Sequence, residues 1–154
     1  MTDVVIYTDG AARGNPGPGG YGVVLLSGQH RKELSQGYSL TTNNRMELLS
    51  VIVGLEVLKY SGCNVTVYSD SKYVVDAVEK EWVFGWEKIG YKKKANPDLW
   101  QRFLKIYRHH HVKFIWVKGH AGNPENERCD QLAVEASLKP NLPPDIGYTP
   151  NSDS

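Results

Sequence analysis

The chain has 154 residues, 40% of them hydrophobic and 23% charged, a one-domain length with the composition of an ordinary globular protein. No apolar run approaches the ~20 residues of a bilayer span, the start Met1-Thr2-Asp3 lacks the regions of a signal peptide, and the two cysteines, Cys63 and Cys129, give neither a disulfide framework nor a metal-ligand spacing, so a cytoplasmic protein with reduced thiols and no membrane association is expected. The net charge of +1 hides an uneven split: residues 80–118 carry ten Lys/Arg against three acids, +7, and the remainder carries −6, as suits a polyanion gripped at one place and attacked at another.

In chain order, Val4–Asp9 reads as a β-branched strand that ends on an aspartate. A Gly/Pro segment, Gly14–Gly20, leads to an apolar run at Tyr21–Leu26, a turn at Gly28-Gln29-His30 and a weakly alternating stretch over 31–40. Such short connections imply antiparallel neighbours. Residues 43–60 switch to helical spacing, with Met46, Leu49, Val53, Val57 and Tyr60 on one stripe, and Ser61-Gly62 closes that helix. Val65–Asp70 is a second strand ending on an aspartate. Helices are predicted over about 71–90 and 97–109, then a strand at Val112–Val117. Asn123-Pro124-Glu125 reads as N-cap, N1 proline and first-turn acid of a helix reaching about Leu138. The domain is expected to span 1–140, with 141–154 a disordered Pro-rich tail.

A strand–helix–strand passage normally makes a right-handed parallel crossover. It would place Asp9 and Asp70 at matching carboxyl ends, the edge at which open α/β sheets bind ligands. Glu47 near a helix start and Asp130 on the last helix are positioned to complete a ring of four acids. Each acid has a structural alternative: a turn for Asp9-Gly10, a capping box for Glu47 after Asn44, an N-cap for Asp70, a solvated face for Asp130. Taken jointly they suit Mg²⁺, a hard ion that favours oxygen ligands, and two such ions support phosphoryl displacement without a protein nucleophile.

With these residues in view, the chain resembles a bacterial-type ribonuclease H of the first type over about residues 3–140. The motifs are Tyr7-Thr8-Asp9-Gly10, Gly14-Asn15-Pro16-Gly17-Pro18-Gly19-Gly20-Tyr21-Gly22, Thr41-Thr42-Asn43-Asn44-Arg45-Met46-Glu47-Leu48, Asp70-Ser71-Lys72-Tyr73-Val74 and Trp116-Val117-Lys118-Gly119-His120-Ala121-Gly122 through Asn126-Glu127-Arg128-Cys129-Asp130. The resemblance implies an α/β, ribonuclease H-like fold: a five-stranded mixed sheet with helices on both faces. It implies an endoribonuclease that hydrolyses the RNA strand of RNA·DNA hybrids by two-metal catalysis and leaves 5′-phosphate and 3′-hydroxyl ends. Asp9, Glu47, Asp70 and Asp130 are by that resemblance the catalytic, metal-binding acids, for two Mg²⁺ ions in the substrate complex, with Mn²⁺ able to replace them. His120 matches a loop histidine that moves protons or aids product release. Asn15, Asn43 and Asn44 match positions near the hybrid's minor groove, where 2′-hydroxyls are displayed. Thr42, Trp86 and Asn96 resemble a pocket for a DNA phosphate. Trp82, Trp86 and the lysines Lys88, Lys92, Lys93 and Lys94 resemble a basic protrusion that grips the duplex. A monomer is expected.

The chain departs from the better-known bacterial pattern at Leu40, often arginine; at Lys72, commonly glutamine; at Glu87, where a base is expected; and in a short Trp86-to-Trp100 spacing. Gly14–Gly20 lacks the Lys-Ser/Thr of a P-loop and reads as a strand connection. His109-His110-His111 reads as a solvated helix end, because consecutive helical residues point in different directions. Three alternatives stand beside the stand-alone hybrid nuclease: a DNA strand-transfer or junction-cutting enzyme with the same acids, a non-catalytic hybrid-binding module, and a domain cut from a larger replication polyprotein.

Overall fold

The computed structural model describes residues 2–118 and 122–150. Five strands and five helices follow in the order β1 (Asp3–Ala12), β2 (Gly17–Ser27), β3 (His30–Thr41), α1 (Asn43–Glu56), β4 (Asn64–Ser69), α2 (Lys72–Glu79), α3 (Trp82–Lys88), α4 (Pro97–Tyr107), β5 (His111–Trp116) and α5 (Pro124–Ser137). They build one mixed sheet in the order β3-β2-β1-β4-β5. The short connections make β1–β2 and β2–β3 antiparallel. The crossovers through α1, and through α2 to α4, make β1–β4 and β4–β5 parallel.

Alternation along the strands divides the core between two faces. Ile6 and Val23 point to α1, whose Gly54 would bring an added Cβ to 3.1 Å from Ile6. The same face carries Trp100, Phe103 and Phe114, packed edge-on or tilted. On the other face Val24 packs on Cys129 and Leu132 of α5, and the Cys129 thiol donates to the Tyr7 carbonyl at 3.2 Å. Gly22 makes that approach possible, since a Cβ there would run into the Cys129 carbonyl. Helices therefore cover both faces, as the resemblance implies.

Several boundaries differ from expectation. The helix predicted to Tyr60 stops at Glu56, and Tyr60 lies exposed in the following turn. The Leu58 amide already bonds to the Leu55 carbonyl rather than four residues back, and Gly62 at φ +77 turns the chain into β4. The single helix predicted over 71–90 is two, α2 and α3, broken at Glu81, which takes a left-handed φ of 63. The helix expected to reach residue 109 ends at Tyr107; the His110 ring then accepts from the Cys63 amide through Nδ1 at 3.2 Å, and His111 opens β5.

The largest correction concerns the tail. The expected disorder over 141–154, with a domain boundary at 140, does not hold for residues 141–150; 151–154 lie outside the described residues. The Ser39 amide donates to the Pro143 carbonyl at 2.9 Å. Asp145 accepts from Arg45 Nε at 2.7 Å and from the Thr41 hydroxyl at 2.6 Å. Arg45 also makes a two-point pair with Asp98, at 2.9 and 2.8 Å, and donates to Asn96 Oδ1 at 3.2 Å. Burial alone would lower the Arg45 pKa, yet the two carboxylates raise it above its ordinary value. The last segment thus ties β3, the start of α1 and the start of α4 together through one buried guanidinium.

Candidate active site

Two residues beyond the paired positions Tyr7 and Tyr68, the parallel strands deliver Asp9 and Asp70 to the same sheet edge. Asp9 is not in a turn: β1 continues to Ala12, with Asp9 opposite Gly22. Asp70 follows the end of β4 and precedes the real N-cap, Ser71, whose hydroxyl accepts from the Val74 amide at 3.3 Å. Glu47 is not a capping-box residue either, because Thr42 caps α1 and accepts from the Arg45 amide at 3.3 Å. Its carboxylate is thereby directed at β1. Gly10 permits the approach: a Cβ at that position would sit 2.6 Å from the Glu47 amide nitrogen, closer than packed atoms tolerate.

One ligand oxygen from each of Asp9, Glu47 and Asp70 lies within 4.8 Å of the others, and this is the one such acidic group found among the described residues. The Gly10 amide donates to Asp9 Oδ1 at 2.9 Å and to Glu47 Oε1 at 3.2 Å. Glu47 Oε2 is buried without a hydrogen-bond partner. Burial first, then the charges of Asp9 and Asp70, push the Glu47 pKa well above the usual carboxylate range. At 4.8 Å two unit charges repel by about 3.5 kcal/mol at an effective dielectric of 20, so the cluster calls for a shared proton or a cation. Its all-oxygen donor set suits a hard divalent ion. Asp130, on α5, lines the same cleft but stands outside the close group of three.

The other expected residues fall into two sets. Asn43 and Asn44 line the acid cleft. Asn15 joins them, its Oδ1 accepting from the Asn43 amide at 3.0 Å, while Asn43 Oδ1 accepts from the Ala12 amide at 2.7 Å. Thr42 and Asn96 are buried close to Arg45, and Asn96 Nδ2 donates to the Tyr73 hydroxyl at 3.1 Å. Trp86 packs edge-on against Trp100, with ring centroids 5.6 Å apart. The Lys94 ammonium lies 5.1 Å from the Trp86 centroid, and that of Lys80 lies 5.2 Å from the Trp82 centroid. Lys88, Lys92, Lys93 and Lys94 are exposed. Glu87 is held by a two-point pair with Arg108, at 2.8 and 2.6 Å, which lowers its pKa and spends its charge inside the protein. His120 lies outside the described residues.

Sequence reasoning missed Tyr73, Lys72 and Ser71, which line the cleft beside Asp70, and the Trp116 indole, which donates to the Asp70 carbonyl at 3.2 Å. The available signal was motif membership, since Ser71, Lys72 and Tyr73 follow Asp70 in one motif and Trp116 opens another; the placement of Trp116 against Asp70 needed the β4–β5 pairing.

A family model described as RNase H matches residues 1–138. A ribonuclease H of Desulforamulus reducens is 60% identical over 151 residues, covering 95% of this chain and 94% of that protein. One of Trichodesmium erythraeum is 57% identical over 152 residues, covering 96% of each. Among solved structures, LC9-RNase H1, a type 1 RNase H with the type 2 active-site motif, superposes with a TM-score of 0.80 at 34% identity, over 89% of this chain and 72% of that one. LC11-RNase H1, solved in complex with an RNA/DNA hybrid, gives 0.62 at 28% identity, over 86% and 95%. Fold, acid cluster and relatives agree, and the chain belongs to the ribonuclease H family.

Proposed function

We propose that this protein is an endoribonuclease that hydrolyses the RNA strand of RNA·DNA hybrids, using two Mg²⁺ ions held by Asp9, Glu47, Asp70 and Asp130. The observation that carries the reading is the meeting of three carboxylates within 4.8 Å, one of them with a buried, unpartnered oxygen. Divalent ions bound there supply an activated water and neutralise charge on the leaving oxygen. Asp9 on β1, Glu47 on α1 and Asp70 just after β4 would hold the ions, and the Gly10 amide fixes the first two relative to each other. Asp130 closes the cleft from α5. Asn15, Asn43 and Asn44 offer amide donors and acceptors to the minor groove. Thr42, Trp86 and Asn96 take a DNA-strand phosphate, and Trp82 with Lys88, Lys92, Lys93 and Lys94 grips the duplex. His120 assists proton movement or product release. The products carry 5′-phosphate and 3′-hydroxyl ends, Mn²⁺ substitutes for Mg²⁺, and the enzyme works as a cytoplasmic monomer.

The test is a strand-labelled hybrid incubated with Mg²⁺ beside double-stranded RNA and double-stranded DNA, with end groups mapped. Cutting of the ribo strand of the hybrid alone is expected. Cutting of all-DNA duplexes would favour the strand-transfer or junction-nuclease alternative, and binding without any cutting would favour a non-catalytic module.

A further inference from the structure

We propose that Tyr7 and Tyr68 form a clasp across the seam of the sheet that sets the spacing of Asp9 and Asp70, and with it the affinity of the cleft for divalent ions, a proposal that rests on the metal-dependent reading above. An antiparallel half of the sheet, β1 to β3, meets a parallel half, β4 and β5, along the β1–β4 pairing. The paired positions of that seam end at Tyr7 and Tyr68, and each tyrosine stands two residues before a cleft aspartate. Beyond them the strands hold to different neighbours. Asp9 lies opposite Gly22 of β2, whereas Ser69, just before Asp70, lies opposite Trp116 of β5. The two carboxylates thus belong to opposite sides of the seam, and the tyrosine pair is the last paired position before them.

The clasp has a part on each face of the sheet. On the α5 face the two half-buried rings stack, with centroids 4.8 Å apart and planes 11° from parallel, and Tyr7 packs against the cluster of Val24, Cys129 and Leu132. On the α1 face the buried Thr8 hydroxyl donates to the Tyr68 carbonyl at 3.2 Å. Alternation puts Asp9 on the same face as Tyr7, so the stack is the row directly beneath that carboxylate. The Cys129 thiol donates to the Tyr7 carbonyl at 3.2 Å, which ties the helical turn that carries Asp130 to the same strand. Like charges at the cleft push the strand ends apart. A stacked aromatic pair on neighbouring strands resists that separation, and ligand oxygens held at a fixed spacing bind an ion without first being gathered. Tyr7 and Tyr68 are positioning residues that act through the aspartates.

The experiment titrates Mn²⁺ into the protein by isothermal calorimetry, without nucleic acid, for the wild type and for Tyr7→Leu, Tyr68→Leu, Tyr7→Phe, Tyr68→Phe and the double leucine variant. Leucine keeps apolar bulk in each strand but removes the stack. The Kd for Mn²⁺ rises about twofold to tenfold in each leucine variant, the range that one aromatic pair carries, and the Mg²⁺ concentration for half-maximal cleavage of a strand-labelled hybrid rises by the same factor. Each phenylalanine variant keeps the stack and binds Mn²⁺ as the wild type does. The double variant is no weaker than the weaker single, because both substitutions break one shared contact. Melting temperatures recorded beside the titrations separate this effect from general destabilisation. Leucine variants that melt lower yet bind Mn²⁺ like the wild type overturn the clasp, as does a double variant whose loss is the product of the two singles, or a phenylalanine variant as weak as its leucine counterpart. A wild type that binds no Mn²⁺ overturns the underlying metal reading instead, so the two failures are distinct.

Discussion

Replacing Asp145 by alanine removes a carboxylate whose side chain is 5% exposed from a guanidinium that is 2% exposed. Breaking a buried pair from one side ordinarily costs about 3–5 kcal/mol, because the remaining charge stays buried. Here Arg45 keeps both bonds to Asp98 and one to Asn96, which places Asp145→Ala at the low end, about 3 kcal/mol. At 2–4 °C per kcal/mol for a chain of this size, the melting temperature falls by about 6–12 °C. Asp98 makes the same two-point contact, but its side chain is 37% exposed, so water takes over much of its role. Asp98→Ala costs about 1 kcal/mol, the upper range of surface pairs. The double variant loses more than the sum, since Arg45 then has no carboxylate. Thermal unfolding followed by circular dichroism in neutral buffer checks all three. Equal effects of the two single variants, or a fall of about 1 °C or less for Asp145→Ala, would refute the buried-clamp reasoning.

Asp70→Asn should abolish cleavage while hybrid binding, measured by fluorescence anisotropy, and melting temperature stay close to wild type; full activity would remove the metal mechanism. Gly10→Ala should force α1 from β1, costing about 1–3 kcal/mol as an overpacked contact and suppressing activity beyond what the unfolded fraction explains, as read from denaturation and rate together. In EDTA, Glu47 binds its proton more tightly in the folded protein than in the unfolded chain, so its contribution to stability is full below its ordinary pKa and declines as pH rises through the raised folded value. Glu47→Gln should flatten that decline and melt higher than wild type in EDTA at pH 8, and Mg²⁺ should narrow the gap by stabilising the wild type alone. Glu33 has the opposite sign: hydrogen bonds from Arg128 and Arg31 hold it down to about 2, so its share of stability is lost as pH falls from its ordinary value toward that figure, and Glu33→Gln should blunt the acid limb of the same melting curves.

The sheet edge was legible because the β-branched runs leading to Asp9 and Asp70 allow few topologies once a helix lies between them. Asn123-Pro124 gave the start of α5 correctly, since cap and N1 proline are local signals, and Asn123 does accept from the Glu125 and Asn126 amides. The break between α2 and α3 was not legible. Glu81 takes a left-handed conformation that residues other than Gly, Asn, Asp and His rarely adopt, without a Gly or Pro to mark it. The stop of α1 at Glu56 was hidden because Val57 and Tyr60 continue the apolar stripe although the chain has already turned. The tail was misread because proline content reports local stiffness, whereas one buried pair between Asp145 and Arg45, about 100 residues apart in sequence, decides whether the segment docks. The approach of Glu47 to the two strand-end aspartates was readable, but its geometry depended on Thr42, not Asn44, being the cap.

The ions themselves give the sharpest test. Crystals of the protein bound to a hydrolysis-resistant RNA·DNA hybrid, soaked in Mn²⁺, should show two anomalous-scattering peaks roughly 3.5–4 Å apart, bounded by Asp9, Glu47, Asp70 and Asp130 and touching an RNA phosphate. Peaks elsewhere, or none between those carboxylates at saturating Mn²⁺, would contradict the assignment of the cleft as a divalent-metal nuclease site.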